Sequence, residues 1–157
     1  MKIAADTSGY QALRRHRISS PNQIYLITFT TNKRQAVFLE NDLAARIFCA
    51  ALNDPRLWSE AKLMCWVLMP DHVNLLIQIG DNESISQLIN RLKTNTARKV
   101  NFILGRTARF WEKGFHHKAI RSEENIIDVA RYIVMNPIRA GLVKSAGMYP
   151  YWSAIWL

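Results

Sequence analysis

The sequence is short of three things, and each shortage excludes something. It holds two cysteines, Cys49 and Cys65. Both sit inside apolar runs (Phe48-Cys49-Ala50 and Met64-Cys65-Trp66), which points to buried free thiols instead of a disulfide framework. No apolar run nears the roughly 20 residues that cross a bilayer, and the first residues lack the apolar core of a secretory signal. A reducing, cytoplasmic setting is the expectation. Acid is also scarce, with 12 Asp and Glu against 21 Lys and Arg, for a formal charge of +9. A polyanionic partner follows from such a balance when the charge is concentrated.

It is concentrated. Between Ser84 and Arg121 nine basic residues (Arg91, Lys93, Arg98, Lys99, Arg106, Arg109, Lys113, Lys118 and Arg121) stand against one acid, Glu112. Two readings remain open from pattern alone, a solvated helix face with its loop or a phosphate-binding surface; the concentration favours the second.

Apolar residues make up 49% of the 157, enough for the core of one domain. Residues 1–23 read as a polar arm carrying Arg14, Arg15 and Arg17, and residues 24–157 as a single domain. Ile24 to Thr31 is rich in β-branched and aromatic residues and predicts a strand. A helix is expected over Asn41 to Leu52, with Asn41 or Asp42 as cap and Leu43, Ile47, Phe48 and Ala51 on its inner stripe. Leu63 to Met69 and His72 to Ile79 read as two strands joined at a Pro70-Asp71 turn. A basic helix follows over Ser84 to Phe102, with Ile85, Leu88, Ile89, Leu92 and Thr96 inward. Phe115 to Arg121 is a short strand. A last helix opens with Ser122 as cap and stops at Asn136 before Pro137. The aromatic tail from Met148 to Leu157 is expected to pack back on the domain. This order predicts an α+β fold: a ferredoxin-like β-α-β-β-α-β antiparallel sheet with helices on one face and an added C-terminal helix.

Three segments carry residues suited to chemistry. Side chains alternate along a strand, so His72 and Asn74 share one face and can offer a nitrogen and an oxygen to one divalent cation. A hydrogen-bonded polar pair at a strand end is the plainer alternative. On the last helix Asp128, Tyr132 and Asn136 form a polar row one turn apart, and a tyrosine there is either an ordinary edge residue or a nucleophile helped by a base or a cation. Arg121, Arg131 and Arg139 are placed to hold phosphates around it, and Trp111 or Trp152, if exposed, to stack unpaired bases, although most of the five tryptophans read as core.

The segments MPDHVNLLI, FWEKGFHHKAIR and ARYIVMNPIRAGLV, in that order, resemble the REP-associated tyrosine transposases and the related insertion-sequence single-tyrosine transposases. The resemblance covers about residues 66 to 143, and YLITFTTNKR extends it towards the N-terminus. It implies a ferredoxin-like sheet whose last helix carries the catalytic tyrosine, here Tyr132. It implies a metal site from a His-hydrophobic-His motif, which falls on His72-Val73-Asn74, and a helper one turn after the tyrosine, Asn136. The family's second histidine is therefore an asparagine here. The implied activity is Mg²⁺- or Mn²⁺-dependent nicking and strand transfer of single-stranded or hairpin DNA through a 5′-phosphotyrosine, by a monomer or homodimer. The implied DNA contacts are Arg91, Lys93, Arg98, Lys99, Arg121, Arg131 and Arg139, with His116, His117 and Lys118 as auxiliaries; of the two histidines only one can share a strand face with Lys118. A nucleic-acid-binding protein that kept the scaffold without catalysis is the rival reading, and a basic protein with no nucleic-acid role the third.

Overall fold

The computed structural model describes residues 22–121 and 124–156. The arm proposed for residues 1–23 therefore lies outside the described residues apart from Asn22 and Gln23. Gln23 belongs to the fold: its side-chain amide donates to the Ile120 carbonyl at 2.9 Å, and its own carbonyl accepts from Ile79 N–H.

The strand β1 (Ile24–Thr30) is an interior strand of the sheet and carries apolar residues on both faces. Tyr25, Ile27 and Phe29 enter one core, and Ile24 and Leu26 pack against the other. After it come a one-turn helix α1 (Val37–Glu40) and α2 (Asp42–Leu52), whose cap Asn41 accepts from Ala44 N–H at 2.9 Å. The inner stripe of α2 differs from expectation in one place. Leu43 is exposed, and the small Ala44 and Ala45 are buried in its place.

Strands β2 (Lys62–Met69) and β3 (His72–Gln78) form the hairpin across Pro70 and Asp71. A register shift between Leu63 and Cys65 sends Cys65, Val67 and Met69 to one face and Trp66 and Leu68 to the other. Helix α3 (Ile85–Leu104) starts at a full capping box, Ser84 with Gln87. It runs two residues past Phe102 and stops where Gly105 takes the left-handed conformation, φ 63°, that a helix C-terminus favours. Strand β4 (His116–Ala119) pairs with β1, and the tail returns as β5 (Trp152–Ala154) beside β2. The five strands lie in the order β4-β1-β3-β2-β5, with every pairing antiparallel.

The sheet separates two cores. Helices α2 and α3 cover one face over Phe29, Phe48, Val73, Leu75 and Ile77; helix α4 (Ile126–Val134) covers the other over Cys65, Val67, Leu76 and Ile120. Ser122, expected to cap α4, lies outside the described residues. Asn125 does the capping, its side chain accepting from Ile127 and Asp128 N–H. Nor does α4 run to Asn136. It ends at Val134, and Pro137 sits in the first turn of a short α5 (Asn136–Arg139), where its missing N–H costs nothing.

Trp111 organises the larger core. It is 4% exposed, donates to Thr96 Oγ1 at 3.0 Å and meets Phe29 and Phe110 edge-on with centroids 4.7 and 4.8 Å apart. Trp152 is half-buried and bonded to the Ala146 carbonyl. Neither indole is an exposed stacking platform; both follow the reading of most tryptophans as core. Trp111→Ala is expected to cost about 3–5 kcal/mol in denaturant unfolding, from the cavity it leaves and from the lost bond to Thr96 Oγ1, whose own hydroxyl still donates to the Leu92 carbonyl. A loss below about 1 kcal/mol would contradict this role.

Burial also sets the chemistry of the cysteines, both free and both pushed up to about 12 by desolvation from an ordinary 9.0. In the unfolded chain they ionise near the ordinary value. The stability that the neutral thiols contribute is therefore present below about pH 9 and lost as pH rises towards 12. Neither thiol should react with a disulfide reagent at pH 8 until denaturant is added; rapid labelling of the folded protein is the contrary result.

Candidate active site

The face of the sheet under α4 carries the polar residues. Register places Asn74 opposite Thr28 and Thr28 opposite His116, so these three form one row across β3, β1 and β4. His72, opposite Thr30, begins the next row on the same face. On the other side of that row lie Leu76, Leu26 and Lys118. The alternation read from the sequence thus puts His72 and Asn74 on one face, both half-buried.

His72 is held from behind. Its Nδ1 lies 2.7 Å from Asp71 Oδ1, and Asp71 Oδ2 accepts from Arg34 Nε at 3.1 Å. Burial opposes ionisation of Asp71, but the bonds from His72 and Arg34 outweigh it and keep the carboxyl below its ordinary range. An ionised Asp71 can only accept, so Nδ1 carries the proton and Nε2 presents its lone pair outward, the tautomer that suits a metal ligand. Asp71 is a residue the sequence reading treated only as part of a turn. Thr28 is another: its hydroxyl donates to Asn74 Oδ1 at 2.7 Å, which fixes the amide and leaves the second lone pair of that oxygen.

Tyr132 lies on α4, 62% exposed, and shares a cleft with Leu26 and Lys118 beside the His116-Thr28-Asn74 row. The Arg139 guanidinium stacks on its ring, 3.8 Å from the centroid, while Nη2 donates to the Tyr132 carbonyl at 2.7 Å. One side chain so caps the end of α4 and restricts the tyrosine ring. Asn136 opens α5 half-buried, one turn beyond Tyr132, with its carbonyl accepting from Ala140 N–H.

Among the described residues no three His, Cys, Asp or Glu side chains converge on a metal position. The available donors are instead the Nε2 of His72 and amide oxygens. That set fits a hard divalent cation which keeps several waters better than it fits a structural metal with a closed protein shell.

The basic residues divide by what they touch. Arg91 is committed to Glu83 and to the Leu57 carbonyl, and Lys93 donates to the Glu112 and Gly114 carbonyls at 2.6 Å. These two therefore tie loops to α3 instead of standing out as phosphate contacts. Arg98 is exposed and Lys99 half-buried on the outer side of α3, one turn before Phe102, which is 84% exposed. That phenylalanine is the bare aromatic beside positive charge that the sequence reading sought in the tryptophans. Arg121 is exposed after β4, and Arg131 pairs with Asp128 at 3.1 Å on the α4 surface. Of the paired histidines, His116 shares the Lys118 face. His117 turns to the opposite core, against Tyr25 and Phe115.

Comparison with known proteins agrees with this architecture. The model of the family described as transposase IS200 like matches residues 19–136. A protein of Haemophilus influenzae described as a REP-associated tyrosine transposase is 28% identical over 94 residues, 54% of this chain and 53% of that protein. The chain thus aligns with about half the length of that relative. Among solved structures, a REP-associated tyrosine transposase bound to a REP hairpin superposes with a TM-score of 0.65 at 19% identity, covering 87% of this chain and 79% of that one. A transposase from Deinococcus radiodurans R1 gives 0.54 at 20% identity, covering 74% and 92%. At such identities the two structures establish a shared fold.

Proposed function

The chain belongs to the IS200-like transposase family, and from that premise we propose that it binds hairpin-bearing single-stranded DNA and nicks it with Tyr132 as nucleophile. The observation that carries this reading is Tyr132 itself. It is an exposed tyrosine, clamped by Arg139, on the one helix that covers the sheet face bearing His72 and Asn74.

In this mechanism Tyr132 Oη attacks the phosphorus of the scissile phosphodiester. A tyrosine–phosphate bond forms at the 5′ side as the 3′-oxygen leaves and takes up a proton. The new ester stores the energy of the old one, so attack by another 3′-hydroxyl completes strand transfer without an external source. A Mg²⁺ or Mn²⁺ ion held by His72, Asn74 and Asn136 would supply neutralising charge to the phosphate oxygens. Asp71 keeps the His72 tautomer, Thr28 keeps the Asn74 amide turned, and Arg139 keeps the phenol ring in place. Arg131, next to Tyr132 in sequence, and Arg121 after β4 are the phosphate contacts of this reading, while Arg98, Lys99 and Phe102 offer a second basic surface on the opposite side of the sheet.

Incubation with Mg²⁺ or Mn²⁺ and a labelled hairpin strand should give a denaturation-resistant DNA–protein adduct. Binding of the same strand should weaken steeply with salt, by about 10³-fold or more between 50 and 200 mM if six or more phosphates are neutralised. Salt-sensitive binding with no adduct in either metal would favour the binding-only reading, for which the Asn74 departure is the specific observation.

A further inference from the structure

Beside Tyr132 the structure holds a feature the proposed chemistry does not use. Between α4 and the β1–β4 pair lies an open cleft of about 390 Å³. Its floor is apolar, made by Leu26, Ile120 and Val129. Its rim is polar, made by Lys118 with its partner Glu124 and by Asn125 and Asp128 at the start of α4, and Tyr132 completes the lining. The Lys118 ammonium meets only Glu124 among the described carboxylates, at 3.5 Å with the lysine side chain 65% exposed. A pair so exposed is worth little, and Lys118 can turn to another partner.

We propose that this cleft seats the nucleobase adjoining the phosphate that Tyr132 attacks. The inference rests on the nicking reading above and adds to it a base-binding subsite on the protein. The argument is one of connectivity and surface. A phosphodiester brought to the Tyr132 hydroxyl carries a nucleoside on each side, within one nucleotide's length of the ring. The flat apolar faces of a base need an apolar floor, and the polar edge of a base needs donors and acceptors at the margin. The cleft offers both: three aliphatic side chains, with the Lys118 ammonium as donor, the Glu124 and Asp128 carboxylates as acceptors and the Asn125 amide between them in the chain. A base seated there would also exclude water from one side of the tyrosine and fix the strand against sliding. Burying one base face against these aliphatic side chains removes apolar surface from water, which favours the register that brings the adjoining phosphate to the phenol.

The test is a coupling experiment on the full chain carrying Tyr132→Phe, so that complexes form without reacting. A hairpin-bearing strand is made with a single abasic site moved one nucleotide at a time, and its binding is compared with and without Val129→Phe, which fills the cleft. At one position the abasic site should cost about tenfold in Kd. Val129→Phe should cost about as much on the intact strand and nothing further on that abasic strand. If the Val129→Phe penalty is the same on every strand, or if no abasic position matters, the base does not sit in the cleft and the proposal is overturned. Should Val129→Phe fail to fold, Lys118→Ala, whose side chain is exposed, goes through the same cycle; coupling confined to that position supports the proposal, and additivity overturns it. Nicking by the wild-type chain, measured in parallel, separates the two readings. Nicking without coupling removes the base subsite alone, and coupling without nicking removes the catalytic reading while leaving the subsite.

Discussion

Tyr132→Phe should leave hairpin binding within about twofold and abolish the covalent adduct, with nicking reduced by about 10⁴-fold or more. The size follows from what is removed. The phenol oxygen is the atom that bonds to phosphorus, and deletion of a nucleophile costs far more than deletion of a group that positions it. The selectivity follows from the structure. The ring is 62% exposed and its defining contact is the Arg139 stack, which a phenylalanine ring keeps in large part. The Arg139 bond to the backbone carbonyl of residue 132 is untouched by the substitution. Fold and DNA contacts should therefore survive, and the loss should fall on chemistry alone. Gel separation of adduct under denaturing conditions, beside a binding titration, measures both. An adduct that persists in Tyr132→Phe would assign the nucleophile elsewhere.

Much of the scaffold was legible because its signals are local. The β-branched and aromatic run from Ile24 to Thr31, the Pro70-Asp71 break and the apolar stripe from Ile85 to Thr96 each specify an element without help from distant residues, and the ferredoxin-like pattern then orders the first four strands. What could not be read depends on partners remote in sequence. Leu43 looks like a core residue on a helical wheel but is exposed, because the buried face of α2 is turned towards Ala44, Ala45 and Phe48. Arg91 and Lys93 look like a phosphate-binding pair. Glu83 and the Glu112–Gly114 carbonyls claim them, and no periodicity announces a carbonyl. Trp111 stands in a basic segment yet points into a nest of four aromatic rings.

The site shows the same division. That His72 and Asn74 share a face follows from the period of two, and the choice of His116 over His117 follows once β4 is registered against β1. The tautomer of His72 does not, because it is set by an ion pair reaching from Arg34 through Asp71. Nor does the Arg139 clamp, which depends on the bend where α4 passes into α5 at Met135. A proline at 137 hints at that bend, but not at which side chain it brings back over the tyrosine.

Asn74→His should convert a weak cation site into a stronger one and raise metal-dependent nicking by about 10- to 100-fold. An amide oxygen is an acceptable ligand for a hard ion and a poor one for transition metals, whereas a neutral imidazole suits the latter. The existing surroundings can orient the new ring. Thr28 Oγ1, which now donates to Asn74 Oδ1 at 2.7 Å, can instead accept from Nδ1–H of a histidine and leave Nε2 facing the same way as that of His72. Both imidazoles would then be held from behind, one by a carboxylate and one by a hydroxyl. Because the gain comes from nitrogen replacing oxygen, it should be larger in Mn²⁺ than in Mg²⁺, and the metal concentration for half-maximal nicking should fall while the Kd for hairpin DNA measured without metal stays unchanged. Equal gain in both metals would point to a packing effect. No gain in either, with hairpin binding intact, would remove position 74 from the cation site and leave His72 to act with Asn136 and water.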